Sequence, residues 1–236
     1  GSFTAPGVEL LKNGQARISA NGRWLLIHSP FGPGEFVRKY TWWRKDLSSG
    51  RTDQGTQYSY DLGPIAPVGR RVISNDGTFV RISGTLGLEV YRPDEPVSKF
   101  PAVGNLKAAT ISDDGRFIVG ETLEPLPSLV GVDLRSGEEW PVVSADEGVR
   151  APALSEDGTT LMFLSGANWL ARNNGGAVQI WTMDLISGEL EQWTEEPWGI
   201  REATLSGDGQ VAWAATVDGR IVRVERRGPT REIIES

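Results

Sequence analysis

Ser112-Asp113-Asp114-Gly115, set between the apolar run Ala109-Thr110-Ile111 and the β-rich run Arg116-Phe117-Ile118-Val119, decides how the rest of this chain is read. Ser and Asp oxygens accept nearby backbone N–H groups, and Gly takes the positive φ of a tight hairpin loop. The tetrapeptide therefore predicts a turn joining two strands. The same turn recurs at Ser19-Ala20-Asn21-Gly22, Ser74-Asn75-Asp76-Gly77, Ser155-Glu156-Asp157-Gly158 and Ser206-Gly207-Asp208-Gly209. Its glycines stand 55, 38, 43 and 51 residues apart, about the length of one four-stranded propeller blade. These aspartates read as turn formers rather than as calcium ligands or catalytic acids.

A second turn follows in three of the repeats: Asp46-Leu47-Ser48-Ser49-Gly50, Asp133-Leu134-Arg135-Ser136-Gly137 and Asp184-Leu185-Ile186-Ser187-Gly188. Strand runs such as Gln179-Ile180-Trp181-Thr182-Met183 and Arg220-Ile221-Val222-Arg223-Val224 mix β-branched and aromatic residues, and no segment sustains a 3.6-residue period. The expectation is an all-β, five-bladed β-propeller of four-stranded antiparallel blades, one domain over residues 1–236. A fragment of a larger propeller is the alternative, since no copy is marked as terminal. Gly7–Leu11 or Arg231–Ile234 is expected to pair at the seam of the ring.

Ser-x-Asp-Gly, an apolar strand and then Asp-Leu-x-Ser-Gly-Glu (Asp133 to Glu138, Asp184 to Glu189) resembles the repeat of TolB-type, WD-like propellers over nearly the whole chain. The stretch Glu202 to Gly209 is similar to secreted propeller modules of soil bacteria that precede immunoglobulin-like domains. That resemblance implies export, to the periplasm or the cell exterior, and an interaction role. The pattern departs at Tyr91-Arg92-Pro93-Asp94-Glu95 and at Glu225-Arg226-Arg227-Gly228, where the Asp-Leu turn is replaced.

Composition narrows the partners. The 236 residues carry a net charge of -7, which repels a phosphate backbone, so nucleic acid is not expected. No run approaches the roughly 18 apolar residues that span a bilayer, so membrane insertion is not expected either. Gly1-Ser2 reads as the remnant of a cleaved tag, and a leader could have been removed with it. With no Cys and one His, thiolate chemistry, disulfides, imidazole-rich metal sites and a His-based triad are excluded by counting. No Gly-rich phosphate loop joins a strand to a helix. No cofactor and no catalytic residue is assigned.

In a propeller blade, strands a to d run outward from the axis, so both repeated turns share one face and the variable b–c and d–a loops share the other. Function is expected on the loop-rich face. Its largest insertions are Ser29–Phe36 and Ser165–Gly176. Lys107, Arg150 and Arg201 each stand five residues before the repeat Ser, with Arg70 one position out of phase. They form a candidate basic ring at the channel mouth for an anionic ligand. The competing reading pairs them with Asp146, Glu147, Glu195 and Glu196 or leaves them solvated.

Of the nine Trp, Trp42, Trp43, Trp181 and Trp213 are expected between blades, while Trp169 and Trp198 lie in loops where an indole could stack on a sugar or grip a peptide. The expected function is a noncatalytic module, monomeric, that binds a protein or peptide, an acidic one first. The alternatives are polysaccharide binding or glycoside hydrolysis, and a structural spacer in a larger surface protein. Hydrolysis needs two or three carboxylates, and the inner strands offer only Glu202.

Overall fold

The computed structural model describes residues 15–29, 38–59, 72–83, 87–100, 106–122, 128–143, 148–166, 177–226 and 231–234. They form five antiparallel sheets, consecutive along the chain, with no helix among the described residues. The first sheet holds β1 (Gln15–Ile18), β2 (Trp24–Ser29), β3 (Arg38–Asp46) and β4 (Thr52–Ser59). The second holds β5 (Phe79–Ser83), β6 (Gly87–Tyr91) and β7 (Ser98–Phe100), and the third β8 (Leu106–Ile111), β9 (Phe117–Thr122), β10 (Leu129–Asp133) and β11 (Glu139–Val143). The fourth holds β12 (Val149–Leu154), β13 (Thr160–Ser165), β14 (Gln179–Asp184) and β15 (Leu190–Gln192). The fifth holds β16 (Ile200–Leu205), β17 (Val211–Thr216), β18 (Ile221–Glu225) and β19 (Arg231–Ile234).

Each sheet is one sequence repeat in simple up-and-down order. The inner strand β12 packs against β8 on one side and β16 on the other. Two expectations need correction. The second sheet has three strands rather than four, because its inner segment is reduced to one bridge between Ile73 and Phe79. The run Arg231–Ile234 pairs with β18 as the outer strand of its own sheet rather than at a seam. Gly7–Leu11 lies outside the described residues.

Both repeated turns form as the sequence predicts. Gly22, Gly77, Gly115, Gly158 and Gly209 take φ between 69° and 87°, the left-handed region open to glycine. The repeat Ser hydroxyl donates to the Asp or Asn side chain two residues on, as Ser112 does to Asp114 at 2.6 Å. The Asp-Leu turn docks beside it: Leu47, Leu134 and Leu185 donate their backbone N–H to Arg23, Arg116 and Thr159 at 2.8 Å each. Arg23–Asp46 and Arg116–Asp133 ion pairs, both 2.8 Å, tie the two turns further. Both turn families therefore occupy one face.

On that face the turns link neighbouring blades, through Asn21, the third residue of the first turn, and through the second residue of each of the others. Asn21 N–H donates to the Asn75 side chain, Asn75 N–H to the Asp113 carbonyl, Asp113 N–H to Glu156, and Glu156 N–H to Gly207. The rungs are 2.9, 2.8, 3.2 and 2.7 Å long.

The space between blades is filled in two ways. From the third blade to the fifth it is hydrocarbon: Leu154, Leu161 and Phe163 meet Val119 and Leu129, while Met162, Leu164 and Ile180 meet Ile200, Ala203 and Ala214. Each such large side chain contributes roughly 1.5–3 kcal/mol on burial. Between the first two blades the filling is aromatic and ionic. Arg44, 3% exposed, reaches from β3 to the carbonyls of Gly77 (2.8 Å), Tyr91 (3.1 Å) and Arg92 (3.3 Å) and to Asp53 (2.8 Å). Trp42 meets Phe79 and Tyr91 edge-on there, and Arg81 pairs with Glu89 at 2.9 Å, both fully buried.

Candidate functional site

The inner strands of the third, fourth and fifth blades share a feature beyond the repeat. Each carries a β-bulge near its start, at the end of the strand away from the Ser-x-Asp-Gly turn. In β8 the register slips between Leu106 and Ala108, which makes Lys107 the extra residue. In β16 it slips between Ile200 and Glu202, which makes Arg201 the extra residue. In β12 the slip spans Arg150 to Ala153. A bulge leaves its extra residue out of the ladder, bends the strand and re-aims the side chain.

The bulge in β12 is strained. Ala151 has φ of 54°, left-handed for a residue with a Cβ, at a cost on the order of 1–3 kcal/mol. Pro152, next in the chain, has no N–H to give to the ladder, which suits the interruption of the strand there. The strain is held by a neighbour: the Glu121 carboxylate, 2% exposed on β9, accepts the Ala151 N–H at 2.9 Å. Arg150 is half-buried immediately before it. Glu121 was not among the residues singled out from sequence. Its only signal there is a carboxylate at the end of an otherwise apolar strand.

The two Trp residues assigned to binding divide. Trp169 lies outside the described residues, as do Arg70, Asp146 and Glu147. Trp198 is 66% exposed in the connection from β15 to β16. That connection is rigidly mounted. Gly199 N–H closes a turn on the Glu196 carbonyl at 3.0 Å, and Gln179 holds Glu196 through its backbone N–H and carbonyl, both at 2.9 Å. Val217, 61% exposed on the β17–β18 turn, donates its N–H to the Gly199 carbonyl at 3.0 Å. Trp198, Val217 and Arg201 thus stand close together in the chain's path at the loop-rich end of the fifth blade.

Glu196 does not pair with the basic ring. It is buried and bound to Arg220 at 2.8 Å, which also holds Asp218 at 2.9 Å and keeps the Asp218 carboxyl below the usual range, behind the Thr216 hydroxyl bond. Arg201 is exposed and makes no ion pair among the described residues. Of the four Trp expected between blades, Trp42 is buried, Trp43 and Trp181 are half-buried, and Trp213 is 43% exposed. Trp213 is a correction: it sits on the face of β17 that no described blade covers.

This arrangement defines a β-propeller blade architecture with its variable mouth opposite a uniform turn face. Solved structures that share this β-propeller fold include TolB proteins. A protein assigned as TolB from Agrobacterium tumefaciens matches with a TM-score of 0.62 at 16% identity, over 92% of this chain and 78% of that one. TolB from Acinetobacter baumannii gives 0.57 at 16% identity, over 92% of this chain and 55% of that one. Hydrazine synthase of Kuenenia stuttgartiensis gives 0.57 at 14% identity, over 89% of this chain and 63% of that one. At these identities the likeness is one of fold. No family model and no curated protein matches the sequence.

Proposed function

We propose that this chain is a noncatalytic, exported interaction module that binds an acidic protein or peptide at the loop-rich mouth of the propeller. The observation that carries the reading is the coincidence of charge and geometry. Three blades place a cation at the same distance before the repeat Ser, and each of those strands is bulged there. A bulge repeated at the start of three inner strands costs ladder hydrogen bonds in three blades, which supports use over ornament. A cationic mouth on a protein of net charge -7 concentrates anionic ligands locally while the remaining surface repels them.

Trp198 supplies the apolar contact on a mounted turn, the kind of rigid aromatic that anchors peptide interfaces. The likeness to TolB propellers supports export and is consistent with a periplasmic location. The fold leaves chemistry open, since the hydrazine synthase likeness puts such propellers in an enzyme. At this mouth, however, the buried carboxylate Glu121 is engaged by the Ala151 N–H.

The test is the triple variant Lys107→Ala, Arg150→Ala, Arg201→Ala, titrated with a panel of Glu- and Asp-rich peptides by fluorescence anisotropy. Binding is expected to weaken at least 10-fold and to fall steeply with added salt in the unmodified chain. A triple variant that binds those peptides as the parent does removes the mouth from consideration.

A further inference from the structure

We propose that Glu121 is a positioning residue of the mouth: a buried carboxylate on the third blade that holds the bulge beside Arg150, on the fourth, in the shape that aims this cation. Its role there rests on the reading of the mouth as an anion site, and it acts without touching the ligand. Two exceptions meet at this joint. Nine residues after the repeat Ser, the five repeats carry His28, Ser83, Glu121, Leu164 and Ala215, so the third alone has a carboxylate. Of the inner strands among the described residues, only β12 holds a left-handed residue with a Cβ, Ala151. The Ala151 N–H donates to the Glu121 carboxylate at 2.9 Å.

Each exception is unfavourable by itself. Glu121 shares its face of β9 with Val119 and lies opposite Leu129, and both of these hydrocarbons cluster with Val149, Leu161 and Phe163 of the fourth blade. A leucine, as at the matching Leu164, fills such space without desolvating a charge. Ala151 takes a backbone that side chains with a Cβ avoid, while its own side chain is exposed and requires nothing of the kind. Together the two are consistent. The carboxylate gains a donor, and an N–H that the bulge turns out of the ladder gains a buried acceptor.

The same carboxylate lies between two of the mouth bulges. On its own sheet its Cα partner is Ala108, next to Lys107, the residue that β8 leaves out of the ladder. Across the joint it holds Ala151, next to Arg150. The fourth blade differs from its neighbours in one respect: Arg150 stays paired with Leu164, and the slip falls on Ala151 and Pro152 instead. Lys107 and Arg201 leave the strand because they are themselves the extra residues. Arg150 is aimed by the bend just after it, and that bend lasts only while Ala151 keeps its positive φ.

Positioning and charge predict opposite signs. A carboxylate near an anion site repels the ligand, so if charge alone matters, Glu121→Ala tightens binding of the Glu- and Asp-rich peptides. Positioning predicts that Glu121→Ala weakens it about 5-fold, the scale of one hydrogen bond. Glu121→Gln keeps an oxygen for the Ala151 N–H and is expected to bind at least as well as the parent. Adding Ala151→Gly to Glu121→Ala is expected to recover most of the loss, because glycine takes a positive φ unaided. Since Ala151 is exposed, Ala151→Val spares the core while its β-branch expels the left-handed backbone. It is expected to weaken binding as Glu121→Ala does, and it serves if Glu121→Ala does not fold. A strong intraresidue HN–Hα NOE at Ala151 reports the left-handed backbone directly, and is expected in the parent and in Glu121→Gln but not in Glu121→Ala. Tighter or unchanged binding by Glu121→Ala or Ala151→Val overturns the proposal. So does a Glu121→Gln variant that loses as much as Glu121→Ala, or an NOE that persists in Glu121→Ala. Peptides that fail to bind the parent overturn the reading of the mouth instead, and the NOE then decides by itself whether Glu121 holds the bulge.

Discussion

The joint between the first and second blades and the joint between the fourth and fifth are built on the same repeat, yet they are held by different physics. The later joint is nearly all hydrocarbon, with Leu164, Met162 and Ile180 against Ile200 and Ala214. The earlier one buries two arginines, a glutamate and the Trp42–Phe79–Tyr91 cluster. Hydrocarbon is non-directional, so it tolerates shape-conserving change. A buried guanidinium is directional, and its partners are harmed when it leaves. The second sheet's reduced inner strand explains the difference: with only the Ile73 bridge on its inner side, the joint draws on hydrogen bonds to the Gly77, Tyr91 and Arg92 carbonyls.

That contrast can be broken by experiment. Arg44→Met keeps an apolar stem but strands three carbonyls and Asp53; it is expected to cost about 3–5 kcal/mol in urea unfolding. A loss below about 1 kcal/mol would make the earlier joint as forgiving as the later one. Leu164→Met, the matched change in the hydrocarbon joint, is expected to cost less than about 1.5 kcal/mol. If it costs as much as Arg44→Met, directionality is not the distinction.

The smallest effect is on the turn face, which all blades share. The Asp46 carboxyl is held far below the usual carboxylate range by the Arg23 guanidinium and then by Ser48, and Asp184 is lowered by the Ser187 and Ile186 backbone N–H groups. A depressed folded pKa contributes stability above the unfolded value, about 3.9, and loses it as pH falls through the folded one. From these groups Tm should be flat between pH 8 and 5 and decline below about pH 4. Asp46→Asn should flatten part of that decline. An unchanged acid limb would show that the turns contribute no linkage.

The five turns were legible because their chemistry is local: a Ser, an acid or amide, and a left-handed Gly at fixed offsets need nothing from the rest of the chain. The three cations were legible as a phase relation, and the structure adds the bulges that give the phase a geometry. What escaped depends on neighbours distant in sequence. Period two shows that Trp213 faces one side of its sheet, but not whether that side is covered. Arg44 carries no motif, and its burial follows from its partners on the second blade. Glu121 matters through Ala151, thirty residues away, a relation no spacing rule encodes.

Three of the four rungs between blades run from main chain to main chain, and the residues bearing them are Asn75, Asp113, Glu156 and Gly207. Four different side chains occupy one structural role because the role belongs to the peptide unit. Genetically, such a joint is permissive: a blade that is duplicated, lost or exchanged brings its own N–H and carbonyl with it, and needs no compensating substitution in its neighbour to be received. The mouth can then diversify blade by blade while the opposite face stays interchangeable, so the fold is free to gain specificity without renegotiating how its parts are joined.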